Sequence, residues 1–308
     1  MKKISLIGAA SGWGAGYRHT EEGPRALQAL GLGPWLRAAG VAAEWTAMID
    51  PARFWRDHPE ATREEVFELV RTHNAALAAA VEAAVARRRL PVVIGGDHAI
   101  AMGTWGGVSR GLARQPFGLI WFDAHLDAHT VATTPSMNPH GMSAAVLLGQ
   151  GEPGFLAIGG NALRPEHLCY IGARSFESGE VELLRRLGVR VVMMEEVRRR
   201  GLPSVTAEAL AIVTRGTIGY GITIDLDGFE PEDAPGIGLK EPNGLRRGEM
   251  IEALAAMNGD ARLKAIEIVE YIPEFDEERR TAHLVRDLLV ALLAPVGAEA
   301  ERLERVGR

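Results

Sequence analysis

The feature that most limits how this chain can fold is a series of short apolar runs that do not alternate with polar residues. They are ISLIGA (4–9), PVVIGG (91–96), FGLIWF (117–122), LCYIGA (168–173), VRVVMM (189–194), GYGITI (219–224) and AIEIVE (265–270). A strand with one wet face alternates with a period of two, whereas a strand covered on both faces reads as a continuous run. Helical patterns lie between several of the runs. The clearest starts at Thr62 with Glu65 three residues on, the spacing of a capping box, and carries Val66, Val70, Leu77, Val81 and Val85 on one face. Arg87, Arg88 and Arg89 follow at the negative end of its dipole. Residues 179–188 and 246–259 each read as a helix closed by a C-terminal glycine, and 280–293 as the last helix. Strand following helix in this way predicts an α/β fold, a mostly parallel sheet with helices on both faces.

The 308 residues, 47% of them hydrophobic, suffice for one large domain or two small ones. No linker-like stretch, composition shift or internal repeat divides them, so a single domain over 1–308 is expected, with 296–308 as a peripheral charged tail. With 40 acidic against 34 basic residues the net charge is -6, which gives no electrostatic footprint for nucleic acid or an anionic membrane. ARRRL and VRRRG read as solvated helix ends. The single cysteine, Cys169, excludes an internal disulfide and fits a reducing compartment. No run approaches the ~18 apolar residues of a membrane span, and the apolar stretch after Met1 is too short for a signal peptide. A cytoplasmic protein acting on a small neutral, zwitterionic or cationic partner is the expectation.

Four of the runs lead directly into polar residues. PVVIGG is followed by Asp97 and His98, FGLIWF by Asp123, His125, Asp127 and His129, and GYGITI by Asp225 and Asp227, while Glu270 closes AIEIVE. Carboxyl ends of parallel strands share one edge, where ligands bind. Positions i, i+2 and i+4 of an extended chain point to one side, so Asp123, His125 and Asp127 can meet Asp225, Asp227 and His98. Six such side chains exceed one tetrahedral zinc, and four clustered carboxylates need cations. Two divalent ions satisfy both conditions. Oxygen-rich ligation with some imidazole favours Mn²⁺ and leaves Fe²⁺, Co²⁺, Ni²⁺ and Zn²⁺ open.

GGDHA (95–99), DAHLD (123–127) and IDLDGFEP (224–231), preceded by a glycine-rich stretch over 7–27, resemble the motifs of the ureohydrolases, the family of arginase, agmatinase and formimidoylglutamase. The resemblance implies a three-layer α/β/α fold around an eight-stranded parallel sheet, two Mn²⁺ per chain and a homo-oligomer, trimer or hexamer. It implies that Asp123 and Asp225 bridge the ions, with His98 and Asp127 completing one and His125 and Asp227 the other. A hydroxide held between two cations is a strong nucleophile at neutral pH, and it would attack a guanidinium carbon to give urea and an amine. Glu270 matches the carboxylate that pairs with the guanidinium, and Asp127 could accept the hydroxide proton. His140 matches the histidine that carries a proton to the leaving amine.

From Asp123 to Gly141 the chain follows arginase-type sequences without a gap. Ser136 and Asn138 fall where arginases contact the substrate carboxylate, and Glu180 at an acidic position near the amino-acid head group. His129 stands where arginases carry an asparagine, while Glu177 and Ser175 each stand for an aspartate. Glu230 and Gly238 also depart from the pattern, replacing an aspartate and a threonine. Mismatched polar partners shift substrate preference. The expected substrate is therefore L-arginine or a close guanidino acid, with agmatinase, guanidinobutyrase or formimidoylglutamase activity as the alternative. Two-metal phosphoester hydrolysis lacks an Arg/Lys clamp in these motifs. A non-catalytic binding protein would have no need to keep all six ligands.

Overall fold

The computed structural model of the chain describes residues 3–16, 18–50 and 61–295, so the tail expected over 296–308 lies outside the described residues. Eight strands form one sheet: β1 (Ile4–Ala9), β2 (Ala43–Ile49), β3 (Leu90–Gly95), β4 (Gly118–Phe122), β5 (Leu168–Ala173), β6 (Arg190–Met193), β7 (Tyr220–Asp225) and β8 (Leu263–Val269). Their order is β2-β1-β3-β8-β7-β4-β5-β6 and every pairing is parallel. Seven of the eight coincide with the continuous apolar runs to within two residues. The eighth, β2, is one of the two edge strands, and its sequence AEWTAMI is only half-buried, which hides it from a search for unbroken hydrophobicity.

The alternation of side chains across the sheet feeds two separate cores. Leu6, Ile120, Phe122, Ile222 and Ile266 face one, and Ile7, Leu119, Trp121, Tyr170 and Ala265 the other. The first is covered by α1 (Gly23–Ala29), α2 (Leu32–Ala38), α9 (Leu202–Val213), α10 (Arg247–Ala255) and α11 (Arg280–Leu293). The second is covered chiefly by α3 (Arg63–Ala86) and α4 (Ala101–Gly111), which insert Leu77, Val81, Trp105 and Val108. Burying a side chain of the Val, Leu or Ile class stabilises by about 1.5–3 kcal/mol, so the continuous runs account for both faces. The remaining helices are α5 (Ser143–Leu147), α6 (Pro153–Gly159), α7 (Ser178–Leu187) and α8 (Met194–Arg200).

Local signals act as read. Thr62 Oγ1 accepts from the Glu65 amide and the Glu65 carboxylate accepts from the Thr62 amide at 2.7 Å, which closes the capping box of α3. Gly188 takes a left-handed conformation (φ 78°) just past α7. The helix expected over 246–259 is shorter: α10 ends at Ala255, and Gly259 (φ 79°) lies in a separate turn four residues on. Asn258 there donates to the carbonyls of Ala291 and Ala294, so the turn is tied to the end of α11 instead of continuing the helix. No helix among the described residues is long and apolar enough to cross a membrane.

The chain runs outward from β4 through β5 to β6 and returns on the other side of β4 as β7. Such a reversal opens a crevice at the carboxyl edge. The four adjacent central strands, β3, β8, β7 and β4, are the four whose ends carry the polar motifs.

Candidate metal centre

The convergence arises differently from the strand alternation expected. β4 stops at Phe122, and Asp123 to Asp127 continue as irregular backbone bent at Ala124 and His125, with Asp127 left-handed at φ 48°. Asp227 sits in the 3-10 turn Leu226–Gly228, where its amide donates to Asp225 Oδ1 at 2.8 Å. Glu270, just past β8, is also left-handed at φ 67°. Such conformations cost a non-glycine residue of order 1 kcal/mol and are held by their surroundings. At the end of β3, Gly96 passes beneath the glycine-rich segment, where a Cβ would lie 1.7 Å from the Ser11 carbonyl oxygen. Asp97 accepts from the amides of Gly14 and Ala99, each at 2.9 Å, and so seats the turn that presents His98.

Three groups of potential ligands result among the described residues: two share Asp123, and the third, His129, Glu177 and Glu180, lies at the other end of the crevice. In the first, His98 Nδ1 lies 3.2 Å from Asp123 Oδ2, 3.1 Å from Asp127 Oδ2 and 3.0 Å from Asp225 Oδ2. In the second, His125 Nδ1 lies 2.9 Å from Asp227 Oδ2 and 3.6 Å from Asp123 Oδ1. Asp123 thus turns one oxygen toward each imidazole. Asp225 turns Oδ2 toward His98 and gives Oδ1 to the Asp227 amide, so in this structure it reaches the first group only.

These atoms fit a metal better than they fit each other. His98 is fully buried, yet its Nδ1 makes no hydrogen bond although three carboxylate oxygens crowd it. First-row ions bind nitrogen and oxygen at about 2.0–2.2 Å, so ligands at right angles around one ion stand about 3 Å apart, as these do. Behind the ring, His98 Nε2 is 3.0 Å from Thr223 Oγ1, whose hydroxyl donates to Glu267 Oε1 at 2.8 Å. With Glu267 ionised it only accepts, so Thr223 accepts from Nε2–H, and the neutral imidazole, the form that binds a metal, has its Nδ1 lone pair facing the carboxylates. Trp121 Nε1 donates to Asp123 Oδ2 at 2.8 Å and its ring stacks on His98.

Electrostatics point the same way. Burial, together with the Asp227 and Asp123 charges, pushes the Asp225 carboxyl well above its ordinary range. Burial also lifts Asp227 to about 6. Burial opposes protonation of His98, but Asp123, Asp127 and Asp225 override it and hold the imidazole well above its usual pKa. A cluster that draws protons this strongly is short of positive charge, and cations supply it.

His125, Asp127, Asp225 and Asp227 line a cavity of about 720 Å³, while His98 and Asp123 are fully buried and do not reach its lining. Its lining includes His129, Ser136, Asn138, His140, Ser175, Glu177, Glu180 and Glu270, so the expected substrate residues are brought together. No lysine or arginine lines it among the described residues. Glu270 Oε1 accepts from the His98 amide at 2.9 Å and lies 3.7 Å from His140 Nδ1. Burial works against a charge on His140, but Glu270 outweighs it and raises the imidazole to about 9.

The head-group end differs from expectation in detail. His129 Nε2 meets Glu177 Oε2 at 2.9 Å and Nδ1 meets Thr133 Oγ1 at 3.1 Å, so neither ring nitrogen points unpaired into the cavity. Glu180 accepts from the amides of Ala128 and Glu177, each at 3.0 Å, and burial raises it to about 8. Glu177 is held below its ordinary range by His129. Ser136 accepts from the Asn138 amide at 3.2 Å at the exposed rim.

Sequence reasoning missed Thr223, Glu267 and Glu241. Glu267 left a signal, a carboxylate inside the unbroken apolar run AIEIV, where burial on both faces demands a partner. Glu241 left none, since it reaches the cavity from a loop with no regular period.

Comparison with known proteins agrees with this architecture. The arginase family matches residues 2–294. Arginase from Bacillus caldovelox is 37% identical over 295 residues, covering 95% of this chain and 98% of the relative, and arginase from Brevibacillus brevis is 35% identical, covering 96% and 97%. The native structure of arginase from B. caldovelox superposes with a TM-score of 0.87 at 36% identity, covering 96% of this chain and 99% of that one. Formimidoylglutamase from Bacillus subtilis, at 20% identity and a TM-score of 0.76, shares the fold. The chain therefore belongs to the arginase family, metal-dependent hydrolases of carbon–nitrogen bonds in linear amidines.

Proposed function

We propose that the chain hydrolyses the guanidinium group of L-arginine or a close guanidino acid to urea and an amine, with two Mn²⁺ ions held by His98, Asp123, His125, Asp127, Asp225 and Asp227. The observation that carries this reading is a pair of ligand groups sharing Asp123, four of whose side chains line an acidic cavity that has no lysine or arginine among its described residues. Such a cavity suits a cationic guanidinium and disfavours a phosphoester, which would need a cationic clamp. When bound, the ions neutralise the carboxylates and supply a nucleophilic oxygen at neutral pH by lowering the pKa of water.

The chain's own residues supply orientation and proton transfer. Glu270, fixed by the His98 amide, presents its carboxylate to the guanidinium and sets the carbon over the ligand groups. Asp127 accepts the proton released as the carbon–oxygen bond forms. His140, 24% exposed at the side chain and beside Glu270, delivers a proton to the amine as the carbon–nitrogen bond breaks. His129, Ser136, Asn138, Glu177 and Glu180 line the end that receives the rest of the substrate. The reading includes a cytoplasmic location, on the strength of the single cysteine and the short apolar runs of the sequence, and a homo-oligomer, trimer or hexamer, on the strength of the family resemblance alone.

The test is a panel of arginine, agmatine, guanidinobutyrate and formiminoglutamate offered to the Mn²⁺-loaded protein, with urea and formamide detected. Urea from arginine or a guanidino acid is expected. Urea from agmatine, or formamide from formiminoglutamate, would move the substrate to the corresponding alternative, and no product from any of them would refute the hydrolase reading.

A further inference from the structure

His98 and His125 both turn Nδ1 toward shared carboxylates, which leaves each ring's Nε2 to be oriented from behind. For His98 the orienting pair is a hydroxyl and a carboxylate, Thr223 and Glu267. His125 meets the same chemistry from a different part of the chain. Its Nε2 faces Glu241 Oε1 at 4.0 Å, and that oxygen accepts from Ser175 Oγ at 3.1 Å. Glu241 belongs to none of the sequence motifs.

One guanidinium holds this arrangement in register. Arg174 Nη2 donates to the carbonyl of Glu241 and to that of Asp227, both at 2.8 Å, and Nε donates to that of Pro242 at 3.2 Å. Asp227 is the carboxylate at His125 Nδ1, 2.9 Å away. The backbones behind both ring nitrogens of His125 are thus joined through Arg174.

Resting on the binuclear reading above, we propose that Glu241 is a positioning residue: it accepts from His125 Nε2–H and so fixes the tautomer that leaves Nδ1 free to bind an ion. The resemblance gives arginases an aspartate at position 175, whereas here Ser175 carries a hydroxyl that donates to the Glu241 carboxylate at 3.1 Å. The separation of 4.0 Å exceeds a hydrogen bond, and the Glu241 side chain, 34% exposed, has room to close it by rotation. No bond is made or broken in this role, and Glu241 need not touch the substrate.

Manganese titration of the metal-stripped full-length chain by calorimetry tests the proposal without relying on turnover. Removing an orienting partner of a ligand imidazole weakens metal affinity by about 10-fold or more. Glu241→Ala and Glu241→Gln should each weaken one of the two sites by about that factor, while Lys240→Ala, on the same loop, leaves both unchanged. The double variant Ser175→Asp/Glu241→Ala returns a carboxylate to the same place and should restore the affinity to within about threefold of wild type. Wild-type affinity in Glu241→Ala, or a double variant binding no more tightly than Glu241→Ala, would overturn the proposal. A wild-type chain that bound no manganese would refute the binuclear reading as well, which separates the two failures.

Discussion

His129 shows how one side chain can change what a pocket accepts. A neutral imidazole has one N–H and one lone pair, and Glu177 can only accept, so Nε2 carries the proton and Nδ1 accepts from the Thr133 hydroxyl. Neither nitrogen is then left to donate to a substrate carboxylate. An asparagine would free Glu177 and offer an amide donor. A hydrogen bond to a charged group is worth about 1.5–3 kcal/mol, so His129→Asn should raise kcat/KM for arginine roughly tenfold or more relative to agmatine. Kinetics on both substrates check this, and an unchanged ranking would show that His129 does not tune the head-group end.

At the scale of elements, α3 carries a titratable residue with no function in the proposed chemistry. His73 is fully buried, and neither ring nitrogen has a hydrogen-bond partner among the described residues. Burial lowers its pKa from 6.5 to about 4, against a smaller opposing effect of Asp50. The unfolded chain therefore takes up this proton at higher pH than the folded one, and stability is lost as pH falls from about 6.5 toward 4. Between pH 7 and 4.5 this should amount to about 2 kcal/mol. Denaturation curves of wild type and His73→Leu, both free of metal, should diverge by that amount over the interval; parallel curves would contradict the assignment. The strands around α3 were legible as unbroken apolar runs, and the long helices by the period of their apolar face. Edge strand β2 was not, since half-exposure mixes its pattern, and the end of α10 was not, because a tertiary contact of Asn258 fixes it.

At the scale of the whole molecule, the sheet order β3-β8-β7-β4 brings together motifs separated by more than half the chain. The sequence lets those residues be identified by type and by their place at strand ends, and the shared edge of a parallel sheet explains why they meet. Their final approach was not legible, because it depends on turns: the left-handed Asp127 and Glu270 and the 3-10 turn at Asp227 replace simple alternation along a strand. The partners behind the ligands were hidden for a related reason, since Thr223, Glu267 and Glu241 are recognised only through what they touch. The central claim is that two adjacent ligand groups sharing Asp123 act as one catalytic unit. It is tested most directly by following urea release, from the substrate that the panel selects, as manganese is added stepwise to the metal-stripped chain. The account predicts full activity only as the second equivalent binds. A plateau at one equivalent, or urea release without metal, would contradict it.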